Sequence, residues 1–213
     1  MTLQERYDGI LAYFAKEQPN PGTELTYGSP FELLVAVVLS AQCTDARVNM
    51  VTPGLFAAYP TPQAMAAASA DDILEHIKSV SYPNSKSRHL HDLAVKLIQD
   101  FGGEVPGTMA ELTSLPGVGR KTANVMLGAV FGQAAIAVDT HVFRVSRRIG
   151  LSRGKTPLEV EQSLTRHFPA ALGLKAHHWI LLHGRYVCKA QKPDCPNCAI
   201  SQYCRHYAKT AHT

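Results

Sequence analysis

The chain has 213 residues, 46% hydrophobic and 18% charged, with a net charge of +4 at pH 7. It is too long for a mini-protein, suits one large or two small domains, and has the composition of a folded globular protein rather than a disordered one. The longest apolar run, Phe31–Leu39, carries Glu32 and is about half the ~20 residues a bilayer needs, and Met1–Arg6 lacks the basic stretch and apolar core of a secretory leader. The expectation is a cytoplasmic protein without a membrane segment, nucleoid-associated if bacterial.

The predicted elements are helices almost throughout, with no convincing alternating strand. An amphipathic helix over 4–17 ends at Pro19-Asn20-Pro21-Gly22. Ser29-Pro30 opens the next, because proline suits a first turn, and Phe31, Leu34, Val35 and Val38 share one face. Shorter helices over 45–58, 62–68, 71–79, 84–101 and 108–113 are punctuated by Pro and Gly, with a loop at Gly102–Pro106. Helices over 120–131 and 139–149 flank the connection 132–138, and two more lie near 157–168 and 176–187. No internal repeat or low-complexity segment is visible. A boundary is expected near 133, with the first helix a candidate to pack on the C-terminal part.

Charge is distributed unevenly. Residues 1–119 hold 7 Lys+Arg against 13 Asp+Glu, a net of −6, while residues 120–213 hold 14 against 4, a net of +10. A basic half suggests a surface that meets a polyanion, although a solvated basic face gives the same count. Four of the five cysteines, Cys188, Cys195, Cys198 and Cys204, fall near the C-terminus as C-x6-C-x2-C-x5-C, whereas Cys43 stands alone. In an intracellular chain this spacing reads as a metal site before disulfides. Four thiolates favour a soft metal, either tetrahedral zinc or an iron–sulfur cube, in a structural role, and spacing leaves those two open. The loop Lys189–Asp194 would then be rigid while presenting Lys189 and Lys192.

The stretch Leu115–Ala123, LPGVGRKTA, places Gly117, Val118 and Gly119 in a tight turn leading into a helix that begins with Arg120 and Lys121. Such a turn can hold a phosphate through its amides and the positive end of the helix dipole; an αα-hairpin without a ligand would look similar. A lysine in the first helical turn beside Arg120 sits in positive potential, and partial burial would depress its pKa further. At an unperturbed pKa of about 10.4 only roughly one such amine in a thousand is neutral at pH 7.4, so depression would make Lys121 a usable nucleophile. Asp139 opens the helix carrying His141 and the stripe Arg144, Arg147 and Arg148. A plain N-cap explains Asp139, and a capping carboxylate is also rigid and ionised, fit to stabilise a cationic sugar or move protons.

LPGVGRKTANV (115–125), AVDTHVFRV (137–145), SAQCTD (40–45), HHWILLHGRYVC (177–188) and the four-cysteine spacing occur together in one order. In these the chain, over about residues 24–204, resembles the endonuclease III family of helix-hairpin-helix DNA glycosylases. The resemblance implies an all-α protein with a cleft between two helical domains: a six-helix barrel over 23–133 containing the helix-hairpin-helix, and an iron–sulfur domain of 1–22 and 134–213. It implies a [4Fe-4S] cluster on Cys188, Cys195, Cys198 and Cys204, Lys121 as Schiff-base nucleophile and Asp139 as catalytic carboxylate. The implied substrate is double-stranded DNA carrying oxidised or ring-saturated pyrimidines or abasic sites, acted on by a monomer that extrudes the damaged base and then cuts by β-elimination. Gln42 matches the residue that fills the gap left by the extruded nucleotide, and Tyr82 stands in the wedge loop where many relatives carry an aliphatic residue. Gly117, Val118, Gly119, Arg120, His141, Arg144, Lys189 and Lys192 match positions that approach the DNA backbone. Two rival readings stand beside this one. A monofunctional glycosylase of the same superfamily would usually lack the lysine after G-V-G-R, and a non-catalytic DNA-binding module has no need of Lys121 and Asp139 together.

Overall fold

A computed structural model of the protein describes residues 1–210. Among them every regular element is helical, and no helix is long and apolar enough to cross a membrane. Contacts divide the chain into two units, one of Glu24–Phe131 and one of Met1–Thr23 with Gly132–Thr213.

The continuous unit holds α2 (Pro30–Leu39), α3 (Asp45–Ala58), α4 (Pro62–Ala67), α5 (Ala70–Ile77), α6 (Pro83–Phe101), α7 (Met109–Ser114) and α8 (Arg120–Ala129). Helix α2 is its centre: Phe31 and Leu33–Leu39 are all buried, as a helix apolar on every side must be. It packs against α3, α6 and α8, while α6 gathers α4 and α5, and α7 meets α8. Helix starts are set by local chemistry. Ser29, Thr44, Thr61, Ser69 and Thr108 each accept a first-turn amide through the side chain, a bond typically worth about 1 kcal/mol. Helix α8 has no side-chain cap, and neither has α6, whose N-cap Tyr82 sits in the left-handed region at φ 57°.

The other unit holds α1 (Leu3–Glu17), α9 (Thr140–Ile149), α10 (Pro157–His167), α11 (Gly173–Tyr186) and α12 (Arg205–Thr210). Helix α1 is tied to the far end of the chain by packing and by polar bonds. Phe14 stacks on Trp179, with ring centroids 5.9 Å apart, and the Trp179 indole donates to Gln18 O at 2.7 Å. The Arg6 guanidinium donates to Tyr203 O at 2.7 Å, and the Tyr7 hydroxyl donates to Leu151 O at 2.8 Å. Helices α9 and α11 approach closely at Gly184, where a Cβ would stand 2.8 Å from Val145 Cγ2 and 3.0 Å from His141 Cβ. Helix α12 has no counterpart among the predicted elements: RHYAKT is polar and only six residues long, too short to show an apolar period. Helix α11 begins three residues before the expected start at 176, following a 3-10 turn over Ala170–Leu172.

Burial pushes the Tyr7 hydroxyl up to about 12 from an ordinary value of 10. The folded chain therefore keeps this proton between pH 10 and 12, where the unfolded chain releases it. The stabilisation is complete below pH 10 and is lost as pH rises toward 12, amounting to about 2–3 kcal/mol. Tyr7→Phe should lose about 1 kcal/mol at pH 9 with its hydrogen bond. Urea unfolding at pH 9 and pH 11.5 should then show a smaller fall in stability for the variant than for wild type; equal falls would contradict this assignment.

Candidate active site and nucleic-acid interface

In the continuous unit, α7 ends at Leu115, and the chain turns through Pro116–Gly119 into α8. The Val118 amide donates to Leu115 O at 3.1 Å and closes the turn. Gly117 takes φ 76°, and a Cβ there would press on His89 of α6 at 3.1 Å, so this position needs glycine for its dihedral and for its space. Val118 is only 6% exposed, so its side chain anchors the turn in the core and only its backbone is left to meet a ligand. Gly119 is the N-cap of α8 and offers no capping side chain, which leaves the first-turn amides with the positive end of the dipole for an anion. Arg120 and Lys121 are both exposed in that turn. One turn on, the buried Asn124 has a side-chain Nδ2 without a partner among the described residues.

Two exposed residues of this unit adopt left-handed backbone, Gln42 at φ 53° and Tyr82 at φ 57°. For side chains other than glycine this costs about 1–2 kcal/mol each, strain of a kind that collects at functional sites. Tyr82 is 66% exposed. The loops bearing them share one buried lysine that the sequence does not reveal, since a lysine in the first turn of a helix reads as solvated. Lys86 is 5% exposed, and its Nζ donates to Leu39 O and Ala41 O, each at 2.7 Å. Its own amide donates to Tyr82 O at 3.1 Å. The ammonium thus ties the C-terminal carbonyls of α2, next to Gln42, to the helix that Tyr82 caps. Burial draws Lys86 below the usual lysine range, with Cys43 pulling the other way.

In the discontinuous unit Asp139 is the N-cap of α9, its Oδ1 accepting from Val142 N at 2.7 Å. The capping reading of Asp139 is therefore correct, and the same bond fixes the carboxylate in place. The arginine stripe is divided in purpose. Arg144 Nη2 donates to Gly184 O at 2.8 Å and Cys188 O at 3.1 Å, and lies 3.3 Å from His141 Nδ1. Arg148 donates to Lys189 O at 2.6 Å and Ala190 O at 2.8 Å. These two hold the cysteine loop; Arg147 alone of the three is exposed. Lys189 and Lys192 are exposed on that loop, Lys192 at φ 48°.

The four cysteines are unpaired and line one pocket, together with Ile149, Val187, Pro193 and Ile200. Their sulfurs have polar neighbours: Tyr207 N donates to Cys204 Sγ at 3.5 Å, Arg148 Nη1 to Cys188 Sγ at 3.7 Å, and His183 Nε2 lies 3.7 Å from Cys198 Sγ. Burial first, and then the neighbouring thiols, raise Cys195 and Cys198 above the ordinary thiol range, while burial pushes His183 down to about 4. Four thiols so placed are costly as thiolates unless a cationic group takes them. Among the described residues no three His, Cys, Asp or Glu donors converge on a site for a single ion. The four thiol donors and the N–H groups near their sulfurs fit a thiolate-bound metal group.

The family model for the HhH-GPD superfamily of base excision DNA repair proteins matches residues 35–170. Endonuclease III of Rickettsia conorii is 49% identical over 198 residues, covering 93% of this chain and 94% of that protein. Endonuclease III of Escherichia coli K12 is 44% identical over 200 residues, covering 94% and 95%. A solved structure described as a trapped endonuclease III–DNA covalent intermediate superposes with a TM-score of 0.90 at 44% identity, covering 99% of each chain.

Replacing Lys86 by methionine should leave the carbonyls of Leu39 and Ala41 without their donor and cost about 1–3 kcal/mol in urea unfolding. Unchanged stability would show that the ammonium carries no structural energy.

Proposed function

The chain belongs to the HhH-GPD superfamily and within it to the endonuclease III family, and from that premise we propose the residues and steps by which it acts. It is a base-excision repair enzyme, a DNA glycosylase and abasic-site lyase whose partner is double-stranded DNA. Oxidised or ring-saturated pyrimidines are its damaged bases. Lys121 is the nucleophile: its neutral Nζ attacks the anomeric carbon, and the base leaves with the electrons of the glycosidic bond. Opening of the sugar yields a Schiff base, and loss of a proton from the neighbouring carbon expels the 3′ phosphate by β-elimination. Asp139 is the carboxylate that stabilises the cationic sugar and helps shift protons to and from the amine. The hairpin amides of Gly117 and Gly119, in the turn that Val118 anchors, grip a backbone phosphate with Arg120, and Gln42 and Tyr82 occupy the space that an extruded nucleotide vacates.

The observation that carries this reading is the uncapped start of α8, where a glycine turn anchored by Val118 delivers Lys121 in the first exposed turn. A monofunctional glycosylase has no use for that amine. Cys188, Cys195, Cys198 and Cys204 hold a [4Fe-4S] cluster that stiffens the loop presenting Lys189 and Lys192, while Arg144 and Arg148 brace the same loop from α9. His141 stands beside Arg144 on the side facing the backbone. The protein acts as a monomer on cytoplasmic, nucleoid DNA.

Lys121→Ala should abolish strand cleavage on duplexes bearing an abasic site or thymine glycol while retaining DNA binding. Full lyase activity in that variant would overturn the mechanism. Asp139→Asn separates the two roles of the carboxylate, because asparagine caps helices as well as aspartate does. It should keep wild-type thermal stability and lose about 10²–10⁴-fold in single-turnover base removal. A variant that unfolds early and cleaves in proportion to its folded fraction would make Asp139 a cap and nothing more.

A further inference from the structure

The discontinuous unit carries a second basic feature beyond the cysteine loop. Helices α9 and α12 pack together beside a groove, open to solvent, that Phe143, Arg144, Arg147, Arg148, Arg205, His206 and Lys209 line. Among the described residues no aspartate or glutamate lines it. Arg147 and Arg205 are exposed, and the Arg147 guanidinium is held over the Phe143 ring, 5.2 Å from its centroid. Arg205 and Lys209 are one turn apart on α12, so they share a face. Gly150 ends α9 in the left-handed region at φ 94°, and α12 starts directly after Cys204. The groove continues into the cysteine loop, because Arg148 also bonds the carbonyls of Lys189 and Ala190.

A solvated basic face would scatter its charges; here cations of two helices converge on one groove. We propose that this groove binds the phosphodiester backbone of the duplex flanking the damaged nucleotide, a contact separate from the one that grips the lesion. The inference rests on the assignment of Asp139 to the reacting sugar. Arg147 lies eight residues beyond Asp139, about 12 Å along the helix axis. That separation exceeds the rise of about 3.4 Å between successive phosphates of one strand, so the groove would meet backbone other than that beside the sugar. Such a contact lengthens the footprint and holds the enzyme on undamaged DNA, and it neither positions the base nor touches the reacting atoms.

The test is a full-length triple variant, Arg147→Gln with Arg205→Gln and Lys209→Gln, against wild type. Fluorescence anisotropy over a salt series would follow binding to an uncleavable abasic analogue at the centre of a short duplex, trimmed to the lesion and its immediate neighbours, and of a long one. Every phosphate that the variant no longer neutralises lowers the slope of log affinity against log salt by about 0.9. The slope on the long duplex should therefore fall by about 2–3, with a loss of roughly 10²–10³-fold in affinity at 0.1 M salt. Affinity for the short duplex and single-turnover cleavage should stay within about twofold. A second variant, Arg147→Lys with Arg205→Lys, should keep the wild-type slope, which a merely structural role for the arginines would not allow. An unchanged slope on the long duplex overturns the proposal, and so does an equal loss on both lengths, which would put the groove at the lesion itself. If wild type bound neither duplex and cleaved nothing, the repair reading would fall as well, which separates the two failures.

Discussion

The close approach of α9 to α11 at Gly184 is the constraint on which the discontinuous unit depends. Without a side chain at that position, Val145 and His141 settle directly on the α11 backbone, and Arg144 comes near enough to bond Gly184 O and Cys188 O. From that seat one ten-residue helix does three things. Its N-terminus fixes the Asp139 carboxylate, its middle braces the cysteine loop, and its last turn, through Arg148, bonds the carbonyls of Lys189 and Ala190. Position along a rigid rod therefore sets the spacing between the carboxylate and the basic loop. A cluster bound by the four cysteines would stiffen a loop that the arginines already hold from one side.

The continuous unit solves a different problem. The side chains proposed to act in this unit are exposed and must still be held, and strain and burial sit just beneath them. Gln42 and Tyr82 occupy left-handed backbone at the surface, and the buried Lys86 ammonium links the segments that carry them. Val118 plays the corresponding part for the hairpin, its buried side chain anchoring the turn between the exposed Gly117 and Gly119. The polar groups that contact DNA in the proposed mechanism are thus supported by residues that never reach it.

Much of the helical order is legible in the sequence because the local signals are strong. Ser29, Thr44, Thr61, Ser69 and Thr108 each precede a helix and cap it, and Asp139 does so as a capping residue should. The all-α class and the glycine turn before Lys121 follow from such patterns. What the sequence hides is direction. Arg144, Arg147 and Arg148 look equivalent on a helical wheel, yet two turn inward to carbonyls about forty residues away and one remains outside. Lys86 stands in the first turn of a helix and is buried, and the polar α12 has no periodicity to announce it. In each case the deciding partner is distant along the chain, and no local rule can name it.

In the proposed mechanism a single amine, Lys121 Nζ, becomes covalently joined to the sugar of the damaged nucleotide. Borohydride reduction of the wild-type protein with an abasic duplex, followed by protease digestion and mass-spectrometric mapping of the adduct, reads that bond itself. The added mass should fall on the peptide containing Lys121 and on no other. An adduct on another lysine or on the N-terminal amine, or no adduct from protein that cleaves the duplex, would rule the mechanism out.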